Sequence, residues 1–326
     1  MSRPLLRRLR PDNFSLALIA TIVLASLLPC RGGFAHFMDV LTDAAIAALF
    51  FLHGAKLSRQ SVLAGATHWK LHLTVFACTF VLFPVLGLLT RPLGEWLLTP
   101  GLYAGVLFLC TLPSTVQSSI AFTSMAGGNV PAAVVSASTS SLIGVFLTPL
   151  LVGLLLAQHG GVSGKAVVDI LLLLMLPFVL GHLSRPWTGV FMDRHARMLK
   201  LSDHGTILLV VYTSFSAAVV GGLWHETPTS ALIATFAIDA GLLTAVMLIN
   251  VFASGRLGFS REDRIAIFFC GSKKSLASGM PMARVLFAGQ AASFGALVLP
   301  LMMFHVTQLM VCAVIAQRLA ARARVR

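Results

Sequence analysis

The chain has 326 residues, of which 57% are hydrophobic and 11% charged, with a mean hydropathy of +0.90. Soluble domains carry about 25% charged residues, so no water-soluble fold of this size hides so much apolar surface; continuous rather than alternating apolar runs exclude a closed β-barrel. The formal charge of +13 would suggest nucleic acid in a soluble protein, but in an all-α polytopic membrane protein it reads as cytoplasmic loops facing anionic lipid.

The N-terminal RPLLRRLR ahead of FSLALIATIVLASLLPC resembles a signal peptide, even a lipoprotein one ending at Cys30. Further apolar spans follow, so a retained first helix is the simpler reading. A spanning helix needs about 20 mostly apolar residues. On that measure the spans fall at 13–30, 37–56, 70–90, 101–126, 130–157, 166–184, 204–223, 230–254, 264–288 and 291–316. The second carries His53, read as a helix-packing residue, and Asp39 and Asp43 at a hydrated outer end. The fourth contains LPSTVQSS, with Pro113, Ser114, Thr115, Gln117, Ser118 and Ser119. The fifth holds a hydroxyl run from Ser136 to Ser141, where small residues allow close helix approach. The eighth contains Asp239, and Asn250 as a bridge between helices. The ninth contains CGSKKS, with Gly271, Ser272, Lys273, Lys274 and Ser275. In the tenth, His305 and Gln308 are spaced i,i+3 on one face, which suits either a cavity lining or an interhelical hydrogen bond. The cysteines Cys30, Cys78, Cys110, Cys270 and Cys312 show no paired spacing and read as buried thiols.

Lysine and arginine orient the spans. The segments after spans two, six and eight, with the two termini, hold 18 of the 24. The opposite face holds Arg31, Arg91, Lys165 and Arg284, leaving Lys273 and Lys274 at membrane depth. That asymmetry places both termini in the cytoplasm, in a plasma membrane, the inner one in a bacterium.

Cutting the chain into 1–163 and 164–326 gives two halves of five spans. Because five is odd, the second half inserts upside down, the topology of an inverted-repeat transporter. An offset of about 158 residues carries Pro113 onto Gly271, so the two most polar interruptions coincide. Irregular backbone at membrane depth survives only where protein, water or a ligand satisfies it. The fourth and ninth helices are therefore expected to be broken and to cross near the midplane. Pro113 removes a donor at the first break, and Gly271 and Gly279 supply flexibility at the second.

In these residues the chain resembles the bile acid:sodium symporter family, over nearly its whole length. The cues are LPSTVQSS with GGNV, then SASTSSLIGVFLTP, RIAIFFCGSKKSLASGMPM and FHVTQ. FCGSKKSLASG and FHVTQ look most like the divergent branch containing the seventh member of solute carrier family 10. The resemblance implies a core domain of spans three to five and eight to ten, and a panel domain of spans one, two, six and seven, with substrate bound between them. It implies one sodium site at Ser118, Ser119, Ser136 and Ser140. The family's glutamate and glutamine in span nine stand here as Phe269 and Lys273, and its glutamine in span three as Thr79, so the sodium sites are degenerate.

Three uses compete for the lysines. An ammonium occupies the volume of a sodium ion, with Ser118, Ser119, Gln117 and carbonyls of the breaks as partners; or Lys273 or Lys274 contacts an anionic solute; or one of them exchanges a proton. The bland reading is a lysine reaching a water-filled cavity. Asp239 is expected to pair with Lys273 or Lys274. The function that follows is secondary transport of an organic, anionic solute, with no cofactor beyond a sodium ion. The alternatives are a cation/proton exchanger using Asp239 and a lysine, and a non-transporting regulator. No GxxxxGK[ST], HExxH or GxSxG motif is present, which argues against ATP-driven pumping and against an enzyme.

Overall fold

Lipid offers nothing to a backbone N–H or C=O, so an apolar segment must satisfy these groups internally, and the helix does so locally. In the computed structural model of the chain, every regular element among the described residues is helical. Those residues are 13–56, 68–156, 164–222, 227–287 and 294–324. The N-terminal arginines, Arg59 and the expected boundary at residue 163 lie outside them.

In chain order the helices are α1 Asn13–Leu27, α2 Gly32–Lys56, α3 Trp69–Leu89, α4 Arg91–Leu97, α5 Pro100–Thr111, α6 Gln117–Met125, α7 Val130–Leu156, α8 Gly164–Arg194, α9 Ala196–Val220, α10 Thr229–Arg256, α11 Arg261–Gly271, α12 Leu276–Leu286 and α13 Phe294–Arg324. Six of them (α2, α3, α7, α9, α10 and α13) contain stretches long and apolar enough to cross a membrane. The expected fourth and ninth spans each divide in two, as α5–α6 and α11–α12.

One loop expectation is corrected. Residues 185–200 read as a polar connection, yet α8 continues to Arg194 and α9 begins at Ala196. Only His195 interrupts them, and the backbone bonds His195 N–H to Phe191 O and Leu199 N–H to His195 O carry the chain across. Hydropathy reports where apolar surface ends, not where a helix ends.

Helix α2 lies along α8, and α9 packs on α1 and α2. The α2–α8 contact depends on two reciprocal glycines. A Cβ on Gly54 would sit 1.9 Å from the Phe178 carbonyl oxygen, and one on Gly181 would sit 1.9 Å from that of Phe51. Small residues let membrane helices approach to backbone contact, where dispersion replaces the missing hydrophobic drive. In the rest of the molecule, α5 packs on α13, α10 on α11 and α13, and α11 on α3, α6 and α7. All five cysteines are buried thiols.

Gly271 and Gly279 sit in close-packed positions. Neither has a positive φ. A Cβ on Gly271 would meet the Asn250 amide at 2.9 Å and Cys78 Cβ at 3.2 Å, and one on Gly279 would meet Leu112 and Leu301 side chains within 2.7 Å. Both are small so that neighbouring helices can close on the second break.

Candidate functional site

The first break follows from Pro113. A proline disfavours helical backbone at the residue before it, and Leu112 is extended, at (φ −73°, ψ 152°). Helix α5 therefore stops at Thr111 and α6 resumes at Gln117. The second break runs from Ser272 to Ser275, where the Ser275 hydroxyl accepts from Ser278 N–H at 3.2 Å and caps α12. The two breaks are joined directly. Ser275 N–H donates to Pro113 O at 2.9 Å, the Ser114 hydroxyl to Cys270 O at 2.6 Å, and the Ser119 hydroxyl to Phe269 O at 3.2 Å. Helix α7 supports the first break: Ser140 Oγ accepts from Ser114 N–H at 3.0 Å, and Thr148 Oγ1 donates to Thr111 O at 2.9 Å.

At this crossing the Lys274 ammonium donates to three main-chain carbonyls: Thr79 at 2.8 Å, Cys110 at 2.8 Å and Leu112 at 2.7 Å. The Phe83 ring lies 4.2 Å from Nζ, and the residue is fully buried. Two of the three acceptors are free for identifiable local reasons. Residues Cys78–Leu82 of α3 form a π-turn, in which each carbonyl looks five residues ahead for its donor. For Thr79 that residue is Pro84, which has no N–H, and Phe83 N–H is already given to Cys78 O. Cys110 would bond Ser114 N–H if α5 continued, but that donor goes to Ser140. The Leu112 carbonyl belongs to the interruption itself. An ammonium has three donors and no acceptor, so all of its capacity is used, at the negative end of the α5 dipole.

This geometry differs from the expected one in two respects. Thr79 contributes its carbonyl, while its hydroxyl donates to Val75 O at 2.8 Å. Gln117, Ser118 and Ser119 are not partners of the ammonium; Ser118 and Ser119 cluster with Thr115, at 2.8 and 3.3 Å.

Lys273 points elsewhere. Its Nζ lies 4.0 Å from the centre of the Phe122 ring and 5.5 Å from that of Phe269. It has no hydrogen-bond partner among the described residues. The expected Asp239–lysine pair is not formed: Asp239 is fully buried on α10, and both its carboxylate oxygens lack a partner among the described residues. Sequence spacing put Asp239 and the lysines at similar depth, but three carbonyls hold Lys274 and Lys273 lies against the Phe122 and Phe269 rings.

The four hydroxyls expected to hold sodium are separately engaged. Ser136 Oγ is 2.7 Å from His72 Nδ1, Ser140 serves Ser114 N–H, and Ser118 and Ser119 bond Thr115. Asn250 of α10 ties α3 to the second break, accepting from the Cys78 thiol at 2.7 Å and donating to the Ser272 hydroxyl at 3.0 Å. Ser272 passes its own hydrogen to Phe268 O at 2.6 Å.

Beside the crossing lies a cavity of about 440 Å³. One wall carries the starts of both half-helices, with Thr115 before α6, Gln117 and Ser118 in its first turn, and Ser275 and Ser278 at α12. The other carries Phe14 of α1, Phe50 and His53 of α2, Phe178 of α8, and Asp203 and His204 of α9. His305 of α13 lines it too, but neither lysine does, so direct contact of Lys273 or Lys274 with a solute there is not part of this arrangement. His53, read as a packing residue, instead faces the cavity, with Nε2 3.9 Å from Asp203 Oδ1, and His204 stacks on Phe14 at 4.2 Å. Asp203 and His204 escaped the sequence reading because they sit at a span end and look like loop. Asp39 and Asp43 are not simply hydrated: both pair with Arg284 of α12, tying that helix to α2.

The description that matches this chain, over residues 12–321, is the SBF-like CPA transporter family. The chain is 56% identical over 308 residues to the putative symporter YfeH of Escherichia coli, covering 94% of this chain and 92% of that protein. It is 58% identical over 324 residues to an uncharacterized protein of Pseudomonas aeruginosa, with coverage of 99% and 96%. Against sodium/bile acid cotransporter 7-B of Xenopus laevis the identity is 29%, with coverage of 95% and 92%. The match covers almost every described helix, the interrupted ones included, and the chain belongs to the SBF-like CPA transporter family.

Proposed function

We propose that the chain is a secondary transporter of a small organic anion, in which the Lys274 ammonium does as a tethered group what a bound sodium ion does at a sodium-coupled crossing. The observation that carries this reading is the set of three carbonyls on Lys274 Nζ, since one of them belongs to Thr79, where the family resemblance puts a sodium-ligand glutamine. The anionic character rests on the two half-helix N-termini at the cavity wall, whose partial positive charge suits an anion.

The wider frame is ten spans in two inverted repeats, 1–163 and 164–326, set in a plasma membrane with cytoplasmic termini. The α1, α2, α8 and α9 wall would act as the panel and the remaining helices as the core, rocking about the cavity in alternating access. This reading gives sodium no place at Lys274. The four hydroxyls of Ser118, Ser119, Ser136 and Ser140, where the resemblance puts a sodium site, each bond a protein partner, and a sodium ion there would have to displace those bonds.

Uptake of a panel of radiolabelled organic anions into reconstituted vesicles tests the reading. The expected result is saturable, protein-dependent uptake that persists when choline replaces sodium. Absence of uptake for every anion removes the transport assignment, and uptake that requires sodium removes the tethered cation. One observation favours a second reading, cation/proton exchange: the buried Asp239 carboxyl has no hydrogen-bond partner among the described residues. Proton movement on a cation jump, lost in Asp239→Asn, would select it. A non-transporting regulator would give neither signal.

A further inference from the structure

The cavity lies toward one end of the helices that wall it. Helix α2 runs antiparallel to α9, with His53 beside Asp203 and Thr42 Oγ1 3.4 Å from Thr213 Oγ1. The cavity takes Phe50 and His53 from the last two turns of α2, Phe14 from the start of α1, and Asp203, His204 and Ile207 from the first half of α9. The opposite end of α2 carries Asp39 and Asp43, spaced i,i+4 on one face and about 15–21 Å from His53 along the helix, at 1.5 Å per residue. There Arg284 of α12 meets both carboxylates, Asp39 through Nη2 and Asp43 through Nε at 3.7 Å. On α12 the cavity takes Ala277, Ser278 and Met282, so the guanidinium stands just beyond the last cavity residue of that helix.

The two sides of this contact are each fastened to their own neighbours. Helix α2 is fitted to α8 through Gly54 and Gly181. Helix α12 is held at its start by the crossing: Ser275 N–H donates to Pro113 O at 2.9 Å. The buried Gln308 amide of α13 also clasps the break, Oε1 accepting from Lys274 N–H at 2.9 Å and Nε2 donating to Lys274 O at 2.8 Å. Beyond its start, α12 packs on α8 and α9. Among the described residues, the ion pairs that join α12 to the α1, α2, α8 and α9 wall are those of Arg284. We propose that Arg284, Asp39 and Asp43 form a latch that keeps the cavity shut at the end away from His53, so that a solute enters from the latch face only when the guanidinium lets go. In the orientation expected from lysine and arginine, the latch face is the outer one, and this structure is the state closed to the outside. Rocking of one wall on the other has to part α12 from α2 at that end. The contact has the right strength for this, because a partly exposed ion pair shifts a two-state equilibrium by a few fold, which biases the state without locking it. The latch rests on the transport reading for its purpose, not for its geometry.

The test is side-specific labelling of the full chain in sealed vesicles with a membrane-impermeant maleimide, applied to one face at a time. Ser138 of α7 lines the cavity and the native cysteines are buried, so Ser138→Cys reports access, with Leu309→Cys as a second cavity reporter. Arg31→Cys, at an exposed position just before α2, marks the latch face. Label is expected to reach Ser138→Cys from the face opposite that marker and only slowly from the marker's own face. Arg284→Gln is expected to raise the rate from the latch face about threefold, the scale of such an ion pair. Asp39→Asn, which breaks the contact from α2, is expected to do the same, and the exchange Arg284→Asp with Asp39→Arg to bring the rate back down. Equal labelling from both faces without a latch substitution overturns the proposal. So does an unchanged rate in Arg284→Gln, or an exchange that restores no protection. Should Arg284→Gln not fold, Asp39→Asn decides. No solute enters the measurement. The expected labelling with no uptake of any anion would strike the transport assignment and spare the latch, while uptake without that labelling would strike the latch alone.

Discussion

Truncating Lys274 to alanine removes three charge-assisted hydrogen bonds of 2.7–2.8 Å and leaves three buried carbonyls without a donor. Bonds to charged groups contribute about 1.5–3 kcal/mol each, and the lost aliphatic stem adds about 0.8 kcal/mol per methylene. Against this stands relief of the several kcal/mol that burying an ammonium costs. The net expectation is a loss of about 3–5 kcal/mol, typical of breaking a buried charged contact on one side. In detergent this corresponds to a fall in Tm of about 5–10 °C, compared at one scan rate because membrane proteins unfold irreversibly. The decisive arm adds sodium. If the space left by the amine accepts the ion, 100 mM sodium at about ten times its Kd restores about 1.4 kcal/mol to Lys274→Ala, and nothing to the wild type. Melting of Lys274→Ala at the wild-type temperature would refute the capping argument. A destabilised variant that sodium does not protect would keep the cap but remove the equivalence of ammonium and ion.

Two further substitutions probe neighbouring contacts. Lys273→Met should leave Tm unchanged or raise it by the equivalent of about 1 kcal/mol, because a cation–π contact of about 2 kcal/mol is exchanged for relief of a buried, unbonded amine and a thioether that suits Phe122 and Phe269; a Tm loss as large as that of Lys274→Ala would show an unrecognised partner. Arg284 is about one-fifth exposed and its partners more so, so Arg284→Ala and Asp39→Ala should each cost under about 1 kcal/mol, with a coupling in the double-mutant cycle that shrinks as salt rises; a salt-independent coupling would contradict a surface ion pair.

Much of the crossing was legible in the sequence because it is written in residues that break helices. Pro113 and the lysine pair announce both interruptions, and the half-length offset brings them together. What was not legible lies in the main chain and in helix rotation. The Thr79 contact uses a carbonyl, exposed by a π-turn and by a missing N–H five residues on; a reading of side chains sees only a threonine hydroxyl, which is spent on Val75. The Asp239 pairing failed because depth along a span does not give the azimuth of a side chain about its helix. The cavity residues Asp203 and His204 lie where hydropathy falls away, so pattern alone could not distinguish a wall from a loop, and His53, placed in a span, reads as packing because the sequence does not give its azimuth.

The two lysines show why adjacency in sequence does not imply shared chemistry. In a helix, residues 273 and 274 would project about 100° apart and share one environment on the same element. In the non-helical segment between α11 and α12 they reach opposite sides of the crossing, one against the Phe122 and Phe269 rings and the other among three carbonyls. Each carbonyl is unsatisfied for its own reason: Pro84 in α3, diversion of the Ser114 N–H to Ser140, and the end of α5 at Pro113. None of the three would justify burying a charge alone. Together they present as many acceptors as an ammonium has donors, on two helices that only a long, flexible stem from a third segment could join. The interruption in α11–α12 gives Lys274 the backbone freedom to enter that site, and Lys274 satisfies the carbonyls exposed by the interruption in α5–α6. Each break thus removes part of the penalty of the other, which is why neither is expected to persist if the other is repaired.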